Sequence, residues 1–273
     1  EPTSYLSDYN FEQLLKQLSY ITRTSNCSVL IASNDERLFY KGFPIITLSS
    51  QKKEKKEIYI PASIPSLPNI NSISINIKGN PIGQTGKLPF YFDEKIRESE
   101  SVLVTGANGS GKTTFLNVCA GLMPLKGKLE HYCCNKRIKR NDLFPTYLSY
   151  LFQEPINYEF RNSVDEILCK LETFKDYPLF DNLYDEILAY YSIPKNQNPK
   201  TLSSGQLRIS WLVSMLGWSG RWILDEPDAS LDNKSLELFF SLLDIHLANR
   251  GTAIIVTHNK ELYKNYNFRT IGL

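Results

Sequence analysis

The stretch Gly106-Ala107-Asn108-Gly109-Ser110-Gly111-Lys112-Thr113-Thr114 decides how the rest of the chain is interpreted. It fits the pattern G-x-x-x-x-G-K-[ST]. The pattern of residues 101–105 predicts a short buried strand before it, and that of residues 114–122 predicts a helix after it. A strand, a glycine-rich loop and a helix in this order form a phosphate cradle, because main-chain N–H groups point inward at the positive end of the helix. The alternative, a glycine-rich turn with an unrelated lysine, is disfavoured by this context.

The phosphate loop is expected to bind a nucleotide with its metal ion. Lys112 would reach the β and γ phosphates, and the Thr113 hydroxyl would bind Mg²⁺. The expected nucleotide-binding residues of the loop are Gly106, Ala107, Asn108, Gly109, Ser110, Gly111, Lys112, Thr113 and Thr114.

Composition sets bounds on the class of protein. The chain has 273 residues, of which 42% are hydrophobic and 22% charged, as expected for a globular protein with a large core. A net charge of +2 gives no reason to expect a nucleic-acid partner. The five cysteines include no C-x-x-C pair, which favours free thiols in a reducing compartment. The sequence shows no apolar run long enough to cross a bilayer and no secretory signal.

Residues 1–70 are expected to form an N-terminal extension. Apolar spacing predicts a helix over residues 6–21, either packed on its own domain or connecting to a further segment. Strands are predicted at residues 29–32, 38–40 and 45–48. The mixed charges of residues 52–57 indicate a solvated loop, and three prolines make residues 61–70 the best linker candidate.

From residue 70 onward, strands come first and helices follow. Alternating isoleucines predict a strand over residues 73–77, and after turns at 79–81 and 83–86 another strand at 88–92. Together they predict a small antiparallel sheet. Further strands are predicted at residues 128–132 and 147–152, and helices within 163–192 and from 202 through 218.

The last part of the chain alternates strand and helix. A buried strand over residues 222–224 ends in Asp225-Glu226-Pro227, a helix runs from about 233 to Gly251, and a strand over 252–257 delivers His258. This alternation predicts a mostly parallel sheet, whose ligands bind at the carboxyl ends of its strands. The residues that follow predicted strands in this way are Lys112, Gln153, Asp225, Glu226 and His258.

This ordered set resembles the nucleotide-binding domain of ATP-binding-cassette (ABC) proteins over residues 71–273. The matching motifs are the phosphate loop (Walker A, 106–114), Gln153 of the glutamine loop, the signature Leu202-Ser203-Ser204-Gly205-Gln206, the Walker B strand 222–226, the D-loop 229–232 and the switch histidine His258. A phosphate loop alone would indicate only an NTPase, whereas six motifs in this order indicate one superfamily. The resemblance implies an α/β fold: a P-loop NTPase core with a mostly parallel sheet, a small antiparallel β subdomain and a compact helical signature subdomain at about 155–220.

The resemblance also implies roles for single residues. Asp225 would hold Mg²⁺ through its water shell, and Gln153 would touch both the metal and the attacking water. Glu226 would act as general base or orient the water, while His258 would hold the γ-phosphate and couple to Glu226. With Lys112, these residues give the expected catalytic set Lys112, Gln153, Glu226 and His258, and the expected metal set Thr113, Gln153 and Asp225.

In this family the signature completes the site of a second cassette that pairs head to tail with the first. The residues that would contact nucleotide across that interface are Ser203, Ser204, Gly205, Gln206 and Asp232. A membrane-embedded domain or permease subunit is the expected second partner, which would place the chain at the cytoplasmic face of a membrane.

The sequence departs from the family pattern in three places. Ser204 stands where glycine is common, and Arg208 is alone where several basic residues usually follow the signature. No aromatic residue lies between 78 and 86 to stack on adenine, which leaves Tyr91 or Phe92 as substitutes.

Three functions fit these motifs. The first is an ATPase domain that powers an ABC transporter. The second is a soluble ABC ATPase that acts on a macromolecular partner, but the second cassette or long coiled-coil insertion typical of that class is absent from the sequence. The third is a silent regulatory cassette, against which the intact Lys112, Asp225, Glu226 and His258 argue.

Overall fold

A computed structural model describes residues 8–25, 27–32, 36–42, 44, 46, 72–84, 86–144, 146–153, 163–164, 178–215, 220–229 and 231–273. Its helices are α1 (Asp8–Thr24), α2 (Lys112–Cys119), α3 (Pro178–Tyr190), α4 (Ser204–Met215) and α5 (Asn233–Ala248). Its strands are β1 (Ser74–Gly83), β2 (Gly86–Lys87), β3 (Phe92–Ile96), β4 (Val102–Thr105), β5 (Leu125–Cys133), β6 (Lys136–Ile138), β7 (Leu148–Leu151), β8 (Arg221–Asp225), β9 (Thr252–Val256) and β10 (Arg269–Gly272).

Five parallel strands form the sheet that carries the phosphate loop. Their order is β10-β4-β9-β8-β7, and every neighbouring pair is parallel. Strands β8 and β9 are buried along their whole length, as expected for the interior of a parallel sheet covered on both faces. The predicted mostly parallel sheet is confirmed, but β10 beside β4 was missed.

The antiparallel sheet is confirmed, with a different arrangement along the chain. Its strand order is β2-β1-β5-β6, and β3 also pairs with β1, on the edge opposite β5. The predicted turn at residues 79–81 is wrong, because β1 continues through it. Gly79 lies opposite Gly127 of β5, and a Cβ on Gly79 would lie only 2.3 Å from the Lys126 carbonyl oxygen. Gly79 therefore allows β1 and β5 to lie close together, and the chain does not reverse direction there.

The strand predicted at residues 88–92 lies four residues later, at β3. Phe92 and Ile96 of β3 are buried, while the residues between them are wholly or partly exposed. The apolar run Leu88-Pro89-Phe90-Tyr91 is therefore a loop that leads into the strand. Strand β6 was also missed, because it has only three residues and two of them are basic.

The core of this part of the chain fills the space between the two sheets and α2. Ile75 and Ile77 of β1, Val104 of β4, and Phe115 and Leu116 of α2 belong to one buried cluster. Burying large aliphatic and aromatic side chains contributes about 1.5–3 kcal/mol each. The cluster therefore fixes the start of α2, which bears the phosphate loop.

Helices α3 and α4 lie in the predicted helical subdomain. Helix α3 begins at Pro178, which suits the first turn of a helix because proline lacks an N–H. The predicted helix around Leu168 lies almost wholly outside the described residues, as do residues 216–219 after α4.

The chain divides into two compact units, one comprising Glu1–Lys55 with Ala229–Asp232 and the other Lys56–Asp228 with Asn233–Leu273. In the first unit the predicted helix is confirmed as α1. The predicted strands at 29–32 and 38–40 are wrong, because residues 29–32 lack regular structure and Glu36–Lys41 form a 3-10 helix. Leu30 is 88% exposed and Arg37 lies 4.2 Å over the ring of Phe11, so these short apolar runs are not buried in a sheet.

Three predicted features of the extension lie outside the described residues: most of the strand at 45–48, the solvated loop at 52–57 and the linker at 61–70. Among the helices of the described ranges, none has both the length and the apolar character needed to cross a membrane.

Candidate functional site

The phosphate loop joins the end of β4 to the start of α2, as predicted. Gly109 and Gly111 have φ angles of +81° and +98°, which favour glycine because other residues are strained there. Gly111 directly precedes α2, and a Cβ on it would lie 3.0 Å from the ring of Phe90. The loop can therefore curl tightly only with glycine at these positions.

Lys112 lies folded back over the loop. Its Nζ donates hydrogen bonds to the carbonyl oxygens of Gly106 and Ala107, each at 3.0 Å, and the residue is only 7% exposed. Carbonyl dipoles only partly compensate a buried ammonium group. The Lys112 charge is thus available to an anionic ligand in the loop.

Ser110 points its hydroxyl into the loop. Within the described part of the chain, its Oγ is buried and has no hydrogen-bond partner. A Cβ on Gly106 would come within 2.6 Å of this oxygen. A buried hydroxyl without a partner is costly, so a ligand oxygen at this point would satisfy it.

Thr113 and Asp225 join the phosphate loop to the end of β8. The Thr113 Oγ1 donates to Asp225 Oδ2 at 2.8 Å. The other carboxylate oxygen of Asp225, Oδ1, is buried and has no hydrogen-bond partner among the described residues. Burial, together with the charge of Glu226, raises the pKa of Asp225 to about 6.

The second half of the site consists of Gln153, Glu226 and His258, with Glu226 in contact with both of the others. Its Oε1 is 3.0 Å from His258 Nε2, and its Oε2 accepts a hydrogen bond of 3.3 Å from Gln153 Nε2. Burial raises the pKa of Glu226, whereas burial and the charge of Lys112 lower the pKa of His258. The three side chains come from the ends of β7, β8 and β9, as predicted for the carboxyl edge of a parallel sheet.

Arg208 supports this half of the site, and its role was not predicted. It is 1% exposed on α4, and its guanidinium donates to the main-chain carbonyls of Glu226 and Gln153. Glu226 has a φ of +50°, an uncommon conformation for a residue with a side chain. The only signal in the sequence was that Arg208 was the one basic residue left after the signature.

The signature residues form the start of α4. Ser203 Oγ accepts from the Gln206 N–H at 3.2 Å, and Gln206 Oε1 accepts from the Ser203 N–H at 3.0 Å. This reciprocal pair is a capping box. Gln206 also donates to the Tyr191 carbonyl at 2.9 Å, and none of these three bonds reaches the phosphate loop.

The remaining predicted nucleotide contacts are Asp232 and the two candidates for stacking on adenine, Tyr91 and Phe92. Asp232 is exposed, directly precedes α5 and belongs to the first compact unit. Phe92 is 3% exposed and packs edge to face on Phe115, so the suggestion that it stacks on adenine is wrong. Tyr91 is 58% exposed.

The residues present fit a nucleotide and a divalent cation. A buried carboxylate oxygen on Asp225 and the Thr113 hydroxyl are the hard oxygen ligands that Mg²⁺ prefers. The buried ammonium of Lys112 and the Ser110 hydroxyl fit phosphate oxygens. The paired Glu226 and His258 provide a base and a second polar group beside them, an arrangement able to activate water at a phosphoryl group.

The fold is similar to that of solved nucleotide-binding cassettes. A structure described as the ATP-binding subunit of an ABC transporter superposes with a TM-score of 0.60 at 17% identity, covering 74% of this chain and 85% of that chain. The dimeric post-hydrolysis structure of the ATP-binding cassette MJ0796 with ADP and Pi gives 0.55 at 23% identity, covering 74% of this chain and 94% of that one.

Sequence comparison gives relatives that are also named as ATP-binding proteins. The cytochrome c biogenesis ATP-binding export protein CcmA of Cupriavidus pinatubonensis is 33% identical over 174 residues, which are 61% of this chain and 74% of that protein. A putative ABC transporter ATP-binding protein of Caldanaerobacter subterraneus is 30% identical over 191 residues, 67% of this chain and 78% of that protein. The family model described as ABC transporter matches residues 92–229. The chain therefore belongs to the ABC transporter family, as one of its ATP-binding domains.

Proposed function

We propose that the chain binds ATP with Mg²⁺, hydrolyses it in a head-to-tail pair of cassettes, and thereby powers transport by a membrane-embedded partner. Hydrolysis of ATP is proposed from one observation: the side chains of Gln153 and His258 both contact Glu226, beside the contact between Thr113 and Asp225. These groups lie far apart in the sequence, and the sheet brings them to one edge.

The phosphate-loop residues would hold the triphosphate. Main-chain N–H groups of residues 106–114 and the Lys112 ammonium would neutralise its charge, and the Ser110 hydroxyl would gain the partner it lacks. Thr113, Asp225 and Gln153 would hold Mg²⁺, with Asp225 acting through water. When bound, Mg²⁺ offsets the negative charge that develops on the phosphoryl oxygens.

Glu226 would take the proton of the attacking water or orient that water. Its raised pKa, caused by burial, makes it a better base than an exposed glutamate. Burial and the charge of Lys112 lower the pKa of His258, which favours the neutral imidazole with a single N–H. That N–H would donate either to Glu226, which lies 3.0 Å from Nε2, or to a γ-phosphate oxygen. Gln153 fixes the orientation of Glu226 from the other side.

A second cassette would complete the site. The side chains of Ser203 and Gln206 each accept a hydrogen bond from the main-chain N–H of the other residue, and Gln206 also donates to the carbonyl of Tyr191, directly after α3. The start of α4 is therefore a preformed surface with main-chain N–H groups. The proposed contacts across the interface are Ser203, Ser204, Gly205, Gln206 and Asp232. The dimeric state of the neighbour with ADP and Pi supports this arrangement.

The transport partner is proposed from the relatives. One is called an export protein and another a transporter ATP-binding protein, which supports a membrane-embedded partner and a location at the cytoplasmic face of a membrane. Residues 1–70 would then be an extension to the ATPase domain of residues 71–273, with α1 as a connector.

The test is ATP turnover together with the association state. We expect Glu226→Gln to keep ATP bound and to accumulate as a dimer in sedimentation velocity, and Lys112→Ala to bind ATP at least about tenfold more weakly. The matched control is Glu237→Gln, an exposed glutamate on α5. Unchanged turnover in Glu226→Gln, or full hydrolysis by a chain that never associates, would contradict the proposal.

A further inference from the structure

Asp228 connects the two loops that carry Glu226 and His258. Its Oδ2 accepts a hydrogen bond from Thr257 Oγ1 and its Oδ1 one from the Tyr263 hydroxyl, both at 3.0 Å. Thr257 and Tyr263 are each only 2% exposed. The carboxylate two residues after Glu226 is therefore bonded to the residue directly before His258.

The Thr257 hydroxyl extends this connection past the histidine. It accepts the N–H of Asn259 at 2.9 Å while donating to Asp228. The main chain adds a bond of 2.9 Å from the Glu226 N–H to the Val256 carbonyl. His258 thus lies in a turn that is fixed on both sides, and its Nε2 lies 3.0 Å from Glu226 Oε1.

Tyr263 anchors the other carboxylate oxygen to the core. Its ring lies 5.4 Å from that of Phe240 and 6.4 Å from those of Phe239 and Phe268. Burial raises the pKa of Tyr263, so its hydroxyl remains a donor at physiological pH. The phenol has little room to move, and the position of Asp228 is fixed with it.

We propose that Asp228 is a positioning residue for the Glu226–His258 pair. Among the hydrogen bonds of the described residues, none joins Asp228 to the side chain of Glu226 or of His258. Asp228 acts by holding residues 226–228 against residues 257–259. The inference rests on the proposed function in that Glu226 and His258 are taken to act at bound ATP, whereas the structural link itself can be tested without ATP.

The first test is NMR of protein labelled at its three histidines, His131, His246 and His258. In Asp228→Ala we expect the His258 imidazole signals to move in the same direction as in Glu226→Gln. The buried His131 and His246 serve as internal references and should not move. The matched control, Asp244→Asn, removes a carboxylate that accepts a bond from Tyr266, a neighbour in the same aromatic cluster, and should leave all three signals in place.

The second test is steady-state ATP hydrolysis. We expect Asp228→Ala to lower kcat on the order of 10- to 100-fold, the cost of slightly misplaced catalytic groups, with KM for ATP within about twofold. Asp228→Asn keeps an acceptor of the same size and should restore part of kcat. In a Glu226→Gln background, Asp228→Ala should have no further effect on residual turnover, because both changes act on the same pair.

Two outcomes overturn the inference: an unmoved His258 signal in folded Asp228→Ala, or a loss of kcat that adds in full to that of Glu226→Gln. If Asp228→Ala fails to fold, Thr257→Val and Asp228→Asn give the same comparison. A wild-type chain without ATPase activity would contradict the proposed function, yet the NMR result would still decide whether Asp228 positions His258.

Discussion

The guanidinium of Arg208 donates to the main-chain carbonyl of Glu226 and, at 2.8 Å, to that of Gln153. One side chain of α4 thus binds the backbone of both residues that flank the site where water would react. Glu226 has a φ of +50°, and such conformations cost about 1–3 kcal/mol unless the surroundings impose them. Arg208 is part of what imposes it.

Replacing Arg208 by lysine should therefore impair hydrolysis while leaving the charge in place. A lysine ammonium is a point charge on a flexible stem and cannot hold two carbonyls in the fixed fork of a guanidinium. We expect kcat to fall on the order of 10- to 100-fold. Stability should fall by about 1–3 kcal/mol for each carbonyl left without a donor. Turnover and urea unfolding measure the two effects. Arg140→Lys, at an exposed arginine, is the control, and a fully active Arg208→Lys would refute the role.

The phosphate loop and the strand-end residues could be predicted because their signals are local. The pattern at 106–114 needs only its own strand and helix, and the residues that follow predicted strands meet because parallel strands end at one edge. Each of these predictions depends on neighbours in the sequence.

Two of the features that the sequence did not predict depend on distant partners. Gly79 is typical of a turn until Gly127, 48 residues later, is placed opposite it. Arg208 binds carbonyls 18 and 55 residues away, which no local pattern contains. Residues 38–40 have the apolar character of a strand but lie in a 3-10 helix, because short apolar runs do not distinguish the two by periodicity.

Asp225→Asn should weaken the magnesium dependence of nucleotide binding. The Asp225 carboxylate has one oxygen on Thr113 and one buried without a hydrogen-bond partner in the described structure, which suits a cation and its water. An amide has the same shape but lacks the charge. In titrations with a fluorescent ATP analogue, Mg²⁺ should tighten binding to the wild type by at least about tenfold more than to Asp225→Asn. Equal gains from Mg²⁺, or equal losses when EDTA removes it, would place the metal elsewhere.

Stability should fall in mild acid because of His246. This histidine is buried, stacks on Trp222 at 4.0 Å and shares a 3.0 Å hydrogen bond with the Thr252 carbonyl. Burial lowers its pKa from an ordinary 6.5 to about 3. Between pH 6.5 and about pH 3, His246 binds a proton in the unfolded chain but not in the folded chain. Stability is therefore lost as pH falls below 6.5, by about 1.4 kcal/mol per pH unit.

The measurement is urea unfolding at pH 7 and pH 5 in the wild type and in His246→Gln. The variant should be less stable at pH 7, because it loses the stacking, but its drop to pH 5 should be smaller than that of the wild type by about 2 kcal/mol. His131, whose pKa is also lowered by burial, contributes equally to both proteins. An equal drop in the two proteins would show that His246 takes up its proton while folded.

Gly127→Ala should weaken the antiparallel sheet where β1 and β5 come closest. A Cβ at Gly127 would lie 2.1 Å from the Lys78 carbonyl oxygen, and both atoms are held by the pairing of Gly79 with Gly127. Because backbone and not a flexible side chain is in the way, the strands must separate, at a cost of about 1–3 kcal/mol or more. Thermal unfolding should begin about 2–4 °C lower for each kcal/mol lost. Gly272→Ala in β10 is the control, since its Cβ would meet nothing within 4 Å. Equal unfolding temperatures for the two variants would mean that β1 and β5 separate without loss and that the glycine pair does not set their distance.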